Sequence, residues 1–397
     1  MLKRLSFPEL EYESSIFFLG PRKTGKSTYL KSRYPNSTKF NFLNSDIKIR
    51  YETKPQLLVD EIRAMKETGE LIEPVILDEV QKVPELLNSV HQLIEDDGVR
   101  FILCGSSARK LHKQGVNLLG GRAITMKCFP FSYYELKINN TKFNLIKAMQ
   151  RGLIPQHYLK EREGKELLKH YIINYLEQEI KQEALIRNTP SFYRFLDSLG
   201  FSNGELVNYS NIARDCGVSL YTVKEYYQII IDTLLGTYIH PFKGNSKRQT
   251  ISATPKFYLF DIGIANHLSN TFIESLDNSK AGKSFEHLIY LELLNYSQYK
   301  EKDVKINFWR TSHGYEVDFV ISEYQKIKVA IECKLTKEVR SRDLKGITLF
   351  SEENEAEKLI IISQDKNKRL VKTKSGQKVM IMPWEDFLND LWNQNIF

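Results

Sequence analysis

The segment GPRKTGKST, at residues 20–28, is the part of the sequence whose composition and spacing most directly indicate a chemistry. Its glycines let the backbone turn so that N–H groups point inward at phosphate oxygens, and the helical pattern after it adds the positive end of a helix dipole. We expect Lys26 to contact the β- and γ-phosphates of ATP and Ser27 to bind Mg²⁺ through its hydroxyl. The predicted nucleotide-binding residues of this loop are Gly20, Pro21, Arg22, Lys23, Thr24, Gly25, Lys26, Ser27 and Thr28.

Two adjacent carboxylates end the apolar segment PVILDEV, at residues 74–80. We expect Asp78 to hold Mg²⁺ through water, and Glu79 to act as the catalytic residue that polarises the attacking water. The alternative is an acidic strand end that faces solvent and has no function. The phosphate-binding loop on the same chain favours the catalytic interpretation.

A third apolar segment, RFILCGSS, ends at Ser106 and Ser107. Ser106 is a candidate for orienting water against the γ-phosphate, although strands also commonly end in Gly-Ser turns without a function. Arg109 and Arg122 are candidates for a cationic finger that one subunit supplies to the ATP of its neighbour, because the transition state of phosphoryl transfer accumulates negative charge. The alternative for each arginine is a structural surface role.

A second candidate chemistry lies near the C-terminal end, in HGYEVDFVISEYQKIKVAIECKL at residues 313–335. The pattern predicts a β-hairpin, and period-two alternation puts Glu332 and Lys334 on one face of its second arm. Asp318 lies on the first arm, and Glu286 lies on a preceding predicted helix. We expect Asp318, Glu332 and Glu286 to bind Mg²⁺ and Lys334 to activate water, a set suited to phosphodiester hydrolysis. A charged, exposed strand face without chemistry is the alternative.

The elements that must position these residues form an α/β pattern at the N-terminal end. Apolar runs bounded by polar turns alternate with helical patterns, such as those at residues 57–66 and 84–94, as in a parallel sheet with crossover helices. The five predicted strands are SIFFLG, TKFNFL, PVILDEV, RFILCGSS and RAITMKCF. Residues 131–200 are predicted to be helical throughout.

The rest of the chain divides into two further patterns. Short helices are predicted over residues 205–235, followed by small strands over 238–265 that a basic loop, GNSKRQ, interrupts. From residue 282 a helix leads into the strands INFWR, EVDFVIS, KVAIEC and LIIIS and a final helix at residues 384–392. The predicted domains are residues 1–130, 131–200, 201–270 and 271–397.

The stretch YSNIARDCGVSLYTVKEYYQIIIDTLL has the spacing of a helix-turn-helix, with Gly217 at the turn and Ser219 as the N-cap of the second helix. The predicted outward positions on that helix are Tyr221, Lys224 and Gln228, which would contact DNA if the helix enters a major groove. The alternative is a packing module that never contacts bases. The acidic Glu225 on the same face disfavours phosphate binding, whereas the basic loop at residues 243–248 favours it.

The amino-acid composition indicates which partners and which cellular location to expect. Among 397 residues, 57 lysines and arginines against 49 aspartates and glutamates give a net charge of +8, which favours an anionic partner such as DNA without excluding a merely basic surface. The 4 cysteines form no metal-binding or disulfide pattern, which favours a cytoplasmic location. No apolar run reaches the roughly 18 residues of a membrane-spanning helix, so we expect no membrane partner.

The order and spacing of four segments resemble the AAA+ ATPase domain of a bacterial and archaeal family: GPRKTGKST, VILDEVQKVPEL, CGSSARKL and GRAITMKCFPFSYYEL. The resemblance continues through RGLIP, at residues 151–155, to the C-terminal unit, a domain long catalogued as of unknown function. It implies a P-loop ATPase that forms homo-oligomers, possible hexameric rings included, with ATP bound between subunits. A basic-acidic pair expected in the middle helix is replaced here by Gln178-Glu179-Ile180, so no role is carried over there.

The helix-strand-strand order around Glu286, Asp318, Glu332 and Lys334 resembles the restriction-endonuclease-like PD-(D/E)xK core. Such cores bind DNA with or without cleaving it. The leading hypothesis is therefore a winged-helix-containing, cytoplasmic AAA+ ATPase that remodels or translocates along DNA, including four-way junctions. The alternatives are a nucleotide-switched regulator that does not process DNA and an ATP-dependent DNA endonuclease.

Overall fold

The computed structural model of the chain describes residues 2–5, 12–107, 121–177, 189–244, 253–277, 280–373 and 376–397. Three parts of the sequence predictions lie outside the described residues. They are Arg109, the segment Gln178-Glu179-Ile180, and residues 245–248 of the basic loop.

The N-terminal unit is a five-stranded parallel sheet with the strand order β2-β3-β4-β1-β5. Its strands are β1 (Ser15–Leu19), β2 (Lys39–Asn41), β3 (Val75–Asp78), β4 (Phe101–Gly105) and β5 (Ala123–Lys127). Its helices are α1 (Lys26–Arg33), α2 (Ser45–Thr53), α3 (Leu57–Glu67) and α4 (Leu86–Asp97), with a 3₁₀ turn at Val80–Lys82. Every residue of β1, β3 and β4 is buried, which explains why these strands are continuous apolar runs in the sequence. All five predicted strands are confirmed.

Strand register places the predicted chemistry at one edge of this sheet. Leu19 of β1 lies beside Gly105 of β4, and Asp78 of β3 lies beside Cys104 of β4. The carboxyl ends of parallel strands point the same way, so the segments that follow β1, β3 and β4 emerge together. This edge holds the loop of residues 20–28, the two carboxylates and Ser106.

The second unit is helical. It contains α5 (Tyr133–Ile138), α6 (Leu145–Arg151), α7 (Pro155–Leu159), α8 (Gly164–Tyr171), a π-helical turn at Ile172–Glu177, and α9 (Thr189–Phe201). A capping box of Ser132 and Glu135 begins α5. Among the described residues between 131 and 200 there is no strand, as predicted.

The third unit contains α10 (Tyr209–Cys216), α11 (Leu220–Asp232), the antiparallel pair β6 (Gly236–Ile239) and β7 (Lys256–Leu259), and α12 (Ile262–Leu268). Gly217 ends α10 with φ 66°, a left-handed conformation, and the Ser219 side chain caps α11 by accepting from Thr222 N. The two predicted helices, the turn glycine and the N-cap are thus confirmed, and the winged helix stays a prediction. The prediction of strands up to residue 265 was wrong at its end, because the Asp261 side chain accepts from the N–H groups of Gly263 and Ile264 and starts a helix.

The C-terminal unit is a six-stranded mixed sheet with the order β12-β13-β11-β10-β9-β8. Its elements are α13 (Ala281–Tyr299), β8 (Lys305–Arg310), β9 (Glu316–Glu323), β10 (Lys326–Cys333), a 3₁₀ turn at Ser341–Leu344, α14 (Lys345–Ser351), β11 (Ala356–Ser363), β12 (Arg369–Lys372), β13 (Lys378–Pro383) and α15 (Trp384–Trp392). Strands β8, β9 and β10 are antiparallel neighbours, whereas β10, β11 and β13 are parallel. The predicted helices and strands are confirmed, and α14, β12 and β13 were not predicted.

One hydrophobic core joins the N-terminal and C-terminal units. It runs from one face of the first sheet, at Ile16 and Phe18, through Leu136 to Tyr296 of α13 and Trp392 of α15. The two units therefore share buried surface. In the part of the chain that the structure describes, no helix has the length and apolar character to cross a membrane.

Candidate functional site

The loop at residues 20–28 connects β1 to α1 and is shaped by two glycines. A Cβ atom on Gly20 would lie 2.3 Å from the carbonyl oxygen of Cys128, so only glycine fits there. Gly25, with φ 96°, immediately precedes α1, whose first turn has no side-chain cap. The N-cap residue Gly25 thus has no side chain that occupies the N–H groups at the start of α1, which an anion-binding helix terminus uses.

Lys26 is buried and its ammonium group lies inside the loop. Its Nζ donates to the carbonyl oxygens of Gly20, at 2.6 Å, and Pro21, at 2.9 Å. The Thr24 hydroxyl also donates to Pro21 O, at 2.8 Å, which closes the turn. The positive charge of Lys26 thus stands where the predicted phosphate groups would be.

The residues predicted to bind Mg²⁺ at this edge are in contact. Ser27 Oγ donates to Asp78 Oδ1 at 3.3 Å, and Lys39 Nζ lies 3.5 Å from Asp78 Oδ2. Protein Mg²⁺ sites use one or two hard oxygen ligands, with water and substrate phosphates completing the octahedron. A hydroxyl and a carboxylate that converge beside a phosphate-binding loop fit this requirement.

Glu79 is held by a buried polar residue that the sequence interpretation missed. Glu79 has φ 62° and ψ 42°, a left-handed conformation that is uncommon outside glycine, and Gln81 Nε2 donates to its Oε2 at 2.5 Å. Gln81 Nε2 also donates to Ser106 Oγ at 3.0 Å, and Ser106 Oγ lies 3.4 Å from Glu79 Oε2. Gln81 lies between Val80 and Lys82, two positions after the acid, and no pattern of the sequence distinguishes it from its polar neighbour.

A cavity of about 520 Å³ adjoins the loop and has one apolar side. Its lining includes Leu2, Phe131, Pro155 and Leu159, together with the polar side chain of Gln156. Apolar walls with a few polar groups are typical of small-ligand pockets. These residues come from three separate parts of the chain, so no local sequence signal could have found them.

Arg4 connects the loop to the C-terminal unit. Its guanidinium donates to Thr24 O at 2.6 Å, to Glu135 Oε1 at 2.7 Å, to Phe129 O at 2.8 Å and to the Tyr299 hydroxyl at 3.1 Å. Burial is the largest single influence on Arg4 and lowers its pKa, but the nearby Glu135, Tyr299 and Cys128 together raise it by more, and the net pKa lies above its ordinary value. Arg4 thus remains charged in a buried position.

The remaining predicted residues near the nucleotide site are also accounted for. The Arg22 guanidinium carbon lies 5.4 Å from the centre of the Tyr175 ring, and Lys23 and Thr28 line the same cavity as Gly25. Arg122 forms an ion pair with Glu95 next to the amino end of β5, at the edge of the sheet opposite the loop. Its role as a finger stays a prediction.

In the C-terminal unit, three carboxylates converge. Glu286 of α13 and Glu316 and Asp318 of β9 each offer an oxygen atom within 4.8 Å of the others. Glu286 and Asp318 were predicted, whereas Glu316 was missed although period-two alternation places it on the same face as Asp318. The Asp318 carboxylate also accepts from Cys333 N at 2.7 Å.

A lysine from the third unit lies among these carboxylates. Lys256 of β7 is 3% exposed, and its Nζ contacts Glu286 Oε1 at 2.9 Å and forms an ion pair with Glu316. The Tyr258 hydroxyl, from the same strand, donates to Glu286. Burial is the largest single influence on Glu286 and raises its pKa, but Lys256, the hydrogen bond from Tyr258 and the charge of Lys334 together outweigh it, and the net pKa is lowered. Burial and the charge of Glu286 raise the pKa of Asp318 well above its usual range.

Glu332 and Lys334 form a second cluster in the same cavity of about 510 Å³. Lys334 Nζ lies 2.8 Å from Glu332 Oε1, and the N–H of Ile347 donates to Glu332 Oε2 at 3.2 Å. Burial raises the pKa of Glu332, and the charge of Lys334 opposes that shift. The structure thus brings all four predicted residues to one cleft, but Glu332 pairs with Lys334 rather than with the three-carboxylate cluster.

The three-carboxylate cluster, as it is arranged, does not fit a divalent cation. The ammonium group of Lys256 occupies the space between Glu286 and Glu316 where such an ion would bind. A divalent ion about 4 Å from this ammonium would meet a repulsion on the order of 8 kcal/mol at the effective dielectric constant of a protein site. This trio shares Glu286 and Asp318 with the predicted Mg²⁺ ligands but contains Glu316 in place of Glu332. The predicted set of Glu286, Asp318 and Glu332 stays a prediction.

Cations and acids both line this cleft. Lys283 pairs with Glu205 and Arg342 with Asp343, Arg310 Nη1 contacts Glu316 Oε2 at 2.8 Å, and Lys345 lies over the Tyr315 ring. The outward face of α11 is polar as predicted, because Lys224 and Gln228 are exposed and Tyr221 is 70% exposed. Positive charge at a cleft edge attracts phosphate groups.

Family comparisons identify the first region of the chain. Residues 12–137 match the family model described as "AAA domain". Residues 142–275 and 281–386 match two models that are each described as a domain of unknown function (DUF8612 and DUF4143). The chain therefore contains an AAA domain, which confirms that part of the resemblance.

Relatives and solved structures are distant. The uncharacterized protein Rv2008c of Mycobacterium tuberculosis is 22% identical over 77% of this chain and 67% of its own length, and the uncharacterized protein MJ1544 of Methanocaldococcus jannaschii is 24% identical over 82% and 76%. The Aeropyrum pernix ORC1 protein in complex with DNA has a TM-score of 0.26 at 14% identity, covering 65% of this chain and 86% of that one. The STAND protein PH0952 of Pyrococcus horikoshii has a TM-score of 0.24 at 11% identity, covering 75% and 47%. TM-scores this low carry no information about function.

Proposed function

We propose that the AAA domain hydrolyses Mg·ATP and that the chain couples hydrolysis to the remodelling or translocation of DNA, including branched DNA such as four-way junctions. One observation carries the first part of this proposal. Lys26, Ser27, Asp78, Glu79 and Ser106 converge at one edge of a parallel sheet, beside a cavity large enough for a nucleotide.

Each of these residues has a separate task in the proposed reaction. Lys26 binds oxygens of the β- and γ-phosphates, and Ser27 and Asp78 hold the metal directly or through water. Bound Mg²⁺ supplies positive charge that offsets the charge of the phosphates. The Glu79 carboxylate accepts a hydrogen bond from the attacking water and polarises it, and Ser106 helps to orient that water.

The third unit supports DNA as the partner. Helices α9, α10 and α11 are followed by the β6–β7 pair, and Leu206, between α9 and α10, bridges to Lys256 of β7. This is the order of elements in a winged helix. The exposed side chains of Tyr221, Lys224 and Gln228 on α11 would reach a groove or the phosphate backbone in this interpretation.

The C-terminal unit supports the same partner. A helix, three antiparallel strands, a second helix and a parallel strand, α13 to β11, follow the order of a restriction-endonuclease-like core. In this proposal Lys283, Arg310, Arg342 and Lys345, which line its cleft, contact a phosphodiester backbone. In this proposal Lys334, beside Glu332, is the group that would orient water at a bound phosphate.

The proposed assembly is a homo-oligomer, in a ring such as a hexamer, in the cytoplasm. An arginine finger from a neighbouring subunit, with Arg122 as the described candidate, would stabilise the transition state of hydrolysis. Removing a finger lowers turnover without lowering ATP affinity, so Arg122→Ala tests it. Mixing Arg122→Ala with Lys26→Ala chains should restore part of the turnover if ATP is bound between subunits.

The central test compares ATP turnover of wild type, Lys26→Ala and Glu79→Gln, with and without linear and four-way DNA. We expect Lys26→Ala to lose ATP binding, and Glu79→Gln to bind ATP but to lose turnover by more than about 100-fold. DNA should stimulate wild-type turnover, and the stimulation should fall steeply with salt. Full turnover by Lys26→Ala would refute the ATP site, whereas turnover that no DNA stimulates would favour a nucleotide-switched regulator.

A further inference from the structure

Lys256 and the carboxylates it contacts belong to different units of the chain. Lys256 lies on β7, and Glu286, Glu316 and Asp318 lie on α13 and β9. The two cations Lys256 and Arg310 contact the two glutamates, while the Asp318 carboxylate accepts from a backbone N–H. The negative charge of the three carboxylates is therefore already offset by other groups of the same chain.

The position of Lys256 depends on the docking of the β6–β7 pair. Phe242, just after β6, donates its N–H to Phe308 O of β8 at 2.6 Å, and Phe308 N donates to His240 O at 3.2 Å. On the β7 side, Leu259 O accepts from His287 Nε2 of α13 at 2.7 Å. The pair is thus held to the C-terminal unit on both sides, and these bonds would have to break for Lys256 to leave.

We propose that Lys256 is a built-in counter-cation that keeps a divalent ion out of the Glu286, Glu316 and Asp318 cluster while the β6–β7 pair is docked. The cleft is then a latent metal site, closed by a neighbouring unit. This proposal rests on the proposed function of the cleft as a site for a phosphodiester backbone. It explains why three carboxylates converge in a place where no metal ion fits.

The direct test is Mn²⁺ binding by the full chain without nucleotide, measured by titration with electron paramagnetic resonance. We expect Lys256→Met to bind one Mn²⁺ at least tenfold more tightly than wild type, because the substitution keeps the length of the side chain and removes its charge. Asp318→Asn in the Lys256→Met background should abolish that binding. Tyr258→Phe is the matched control, since it removes a hydrogen bond to Glu286 but leaves the ammonium in place, and it should bind Mn²⁺ as wild type does.

A second measurement needs no substitution and covers the case in which Lys256→Met does not fold. In wild type, acylation by acetic anhydride should label Lys256 at least tenfold more slowly than Lys283, whose side chain is 67% exposed in the same cleft. Millimolar Mn²⁺ should leave this protection unchanged. Equal labelling of the two lysines, or tight Mn²⁺ binding by wild type, would overturn the proposal.

Cleavage of four-way DNA separates this proposal from the proposed function. Nicking by Lys256→Met with Mg²⁺, at least tenfold faster than by wild type, supports both. If Lys256→Met binds Mn²⁺ but does not bind or cut any DNA, the cleft is not a phosphodiester site and the counter-cation proposal stands. If wild type cuts DNA as fast as Lys256→Met, the cleft acts on DNA but Lys256 does not close it, and the counter-cation proposal fails.

Discussion

Gln81 is expected to control turnover by holding Glu79. Gln81→Met keeps the length of the side chain and removes the Nε2 donor that contacts Glu79 Oε2 at 2.5 Å and Ser106 Oγ at 3.0 Å. A hydrogen bond to a charged group contributes about 1.5–3 kcal/mol. If this bond orients Glu79 in the transition state, its loss lowers kcat by about 10- to 100-fold.

The Gln81→Met variant should bind ATP with the same dissociation constant as wild type. Gln81 is not among the residues that line the cavity beside the loop, whereas Glu79 is. Steady-state kinetics of ATP hydrolysis and a separate titration with a fluorescent ATP analogue would measure the two quantities. Ser106→Ala removes the 3.4 Å contact to Glu79 and an acceptor of Gln81, but it leaves the 2.5 Å bond from Gln81 to Glu79 in place, so it is expected to lower kcat by less than Gln81→Met does.

A double-mutant cycle distinguishes positioning from general damage to the fold. Since Gln81 acts through Glu79 in this account, Gln81→Met should have no further effect on the residual turnover of Glu79→Gln. An equal loss in both backgrounds would show that Gln81 acts elsewhere. Unchanged kcat in the single variant would refute the reasoning outright, because a buried donor at 2.5 Å would then contribute nothing to the orientation of the acid.

Three further outcomes follow from contacts in the structure. Ser27→Ala removes one of the two proposed metal ligands at the loop and should raise the Mg²⁺ concentration needed for half-maximal ATP turnover by about tenfold or more. Lys224→Ala, on the outward face of α11, should weaken DNA binding and reduce the slope of log affinity against log salt concentration by about one, with no change in ATP affinity. Burial raises the pKa of Glu292 from 4.5 to about 7, so the stability due to its protonated form is fully present below pH 4.5 and is lost as pH rises through 7, by about 3 kcal/mol in total. Glu292→Gln should therefore flatten the decline in melting temperature between pH 5 and 8, and an unchanged decline would contradict the assignment.

The nucleotide site was predictable because each of its parts has a local signal. The loop at residues 20–28 is one uninterrupted segment, and Asp78 and Glu79 directly follow a buried strand. Parallel strands end at a common edge, so three local observations were enough to predict one site. Gln81 was not predicted, because its role depends on a side-chain contact with Glu79 and not on a periodic pattern.

The acidic cleft was predictable only in part, because one of its residues comes from another unit of the chain and has no local signal. Glu286, Asp318, Glu332 and Lys334 lie on elements with clear patterns, and the structure brings them to one cavity. Lys256 is 30 residues from Glu286 in sequence, and its strand gives no hint that its side chain points into another unit. A contact between two units leaves no periodicity in either segment. The same holds for Arg4, whose partner Tyr299 is 295 residues away.

The errors at α12 and β12 have local causes. The run YLFDIGIANHL has enough apolar residues for a strand. The Asp261 side chain accepts hydrogen bonds from the N–H groups of Gly263 and Ile264, and these bonds stabilise a helix after residue 261 instead. Strand β12 is short and half exposed at the edge of its sheet, where the apolar pattern is weak. Both are cases in which hydrophobic periodicity alone does not distinguish the alternatives.

The long helix α13 contacts both candidate sites, which makes the two sites parts of one framework. Glu286, which Lys256 contacts, lies near its first turn, and Tyr299, which Arg4 contacts, is its last residue. A helix of 19 residues spans about 28 Å and does not bend easily, so a displacement at one end is carried to the other. Truncation near residue 130 would remove Glu135 and Tyr299, and with them the groups that neutralise the Arg4 guanidinium and shield it from solvent. The contact between Arg4 and the nucleotide loop, at Thr24 O, is therefore supported by residues outside the first unit.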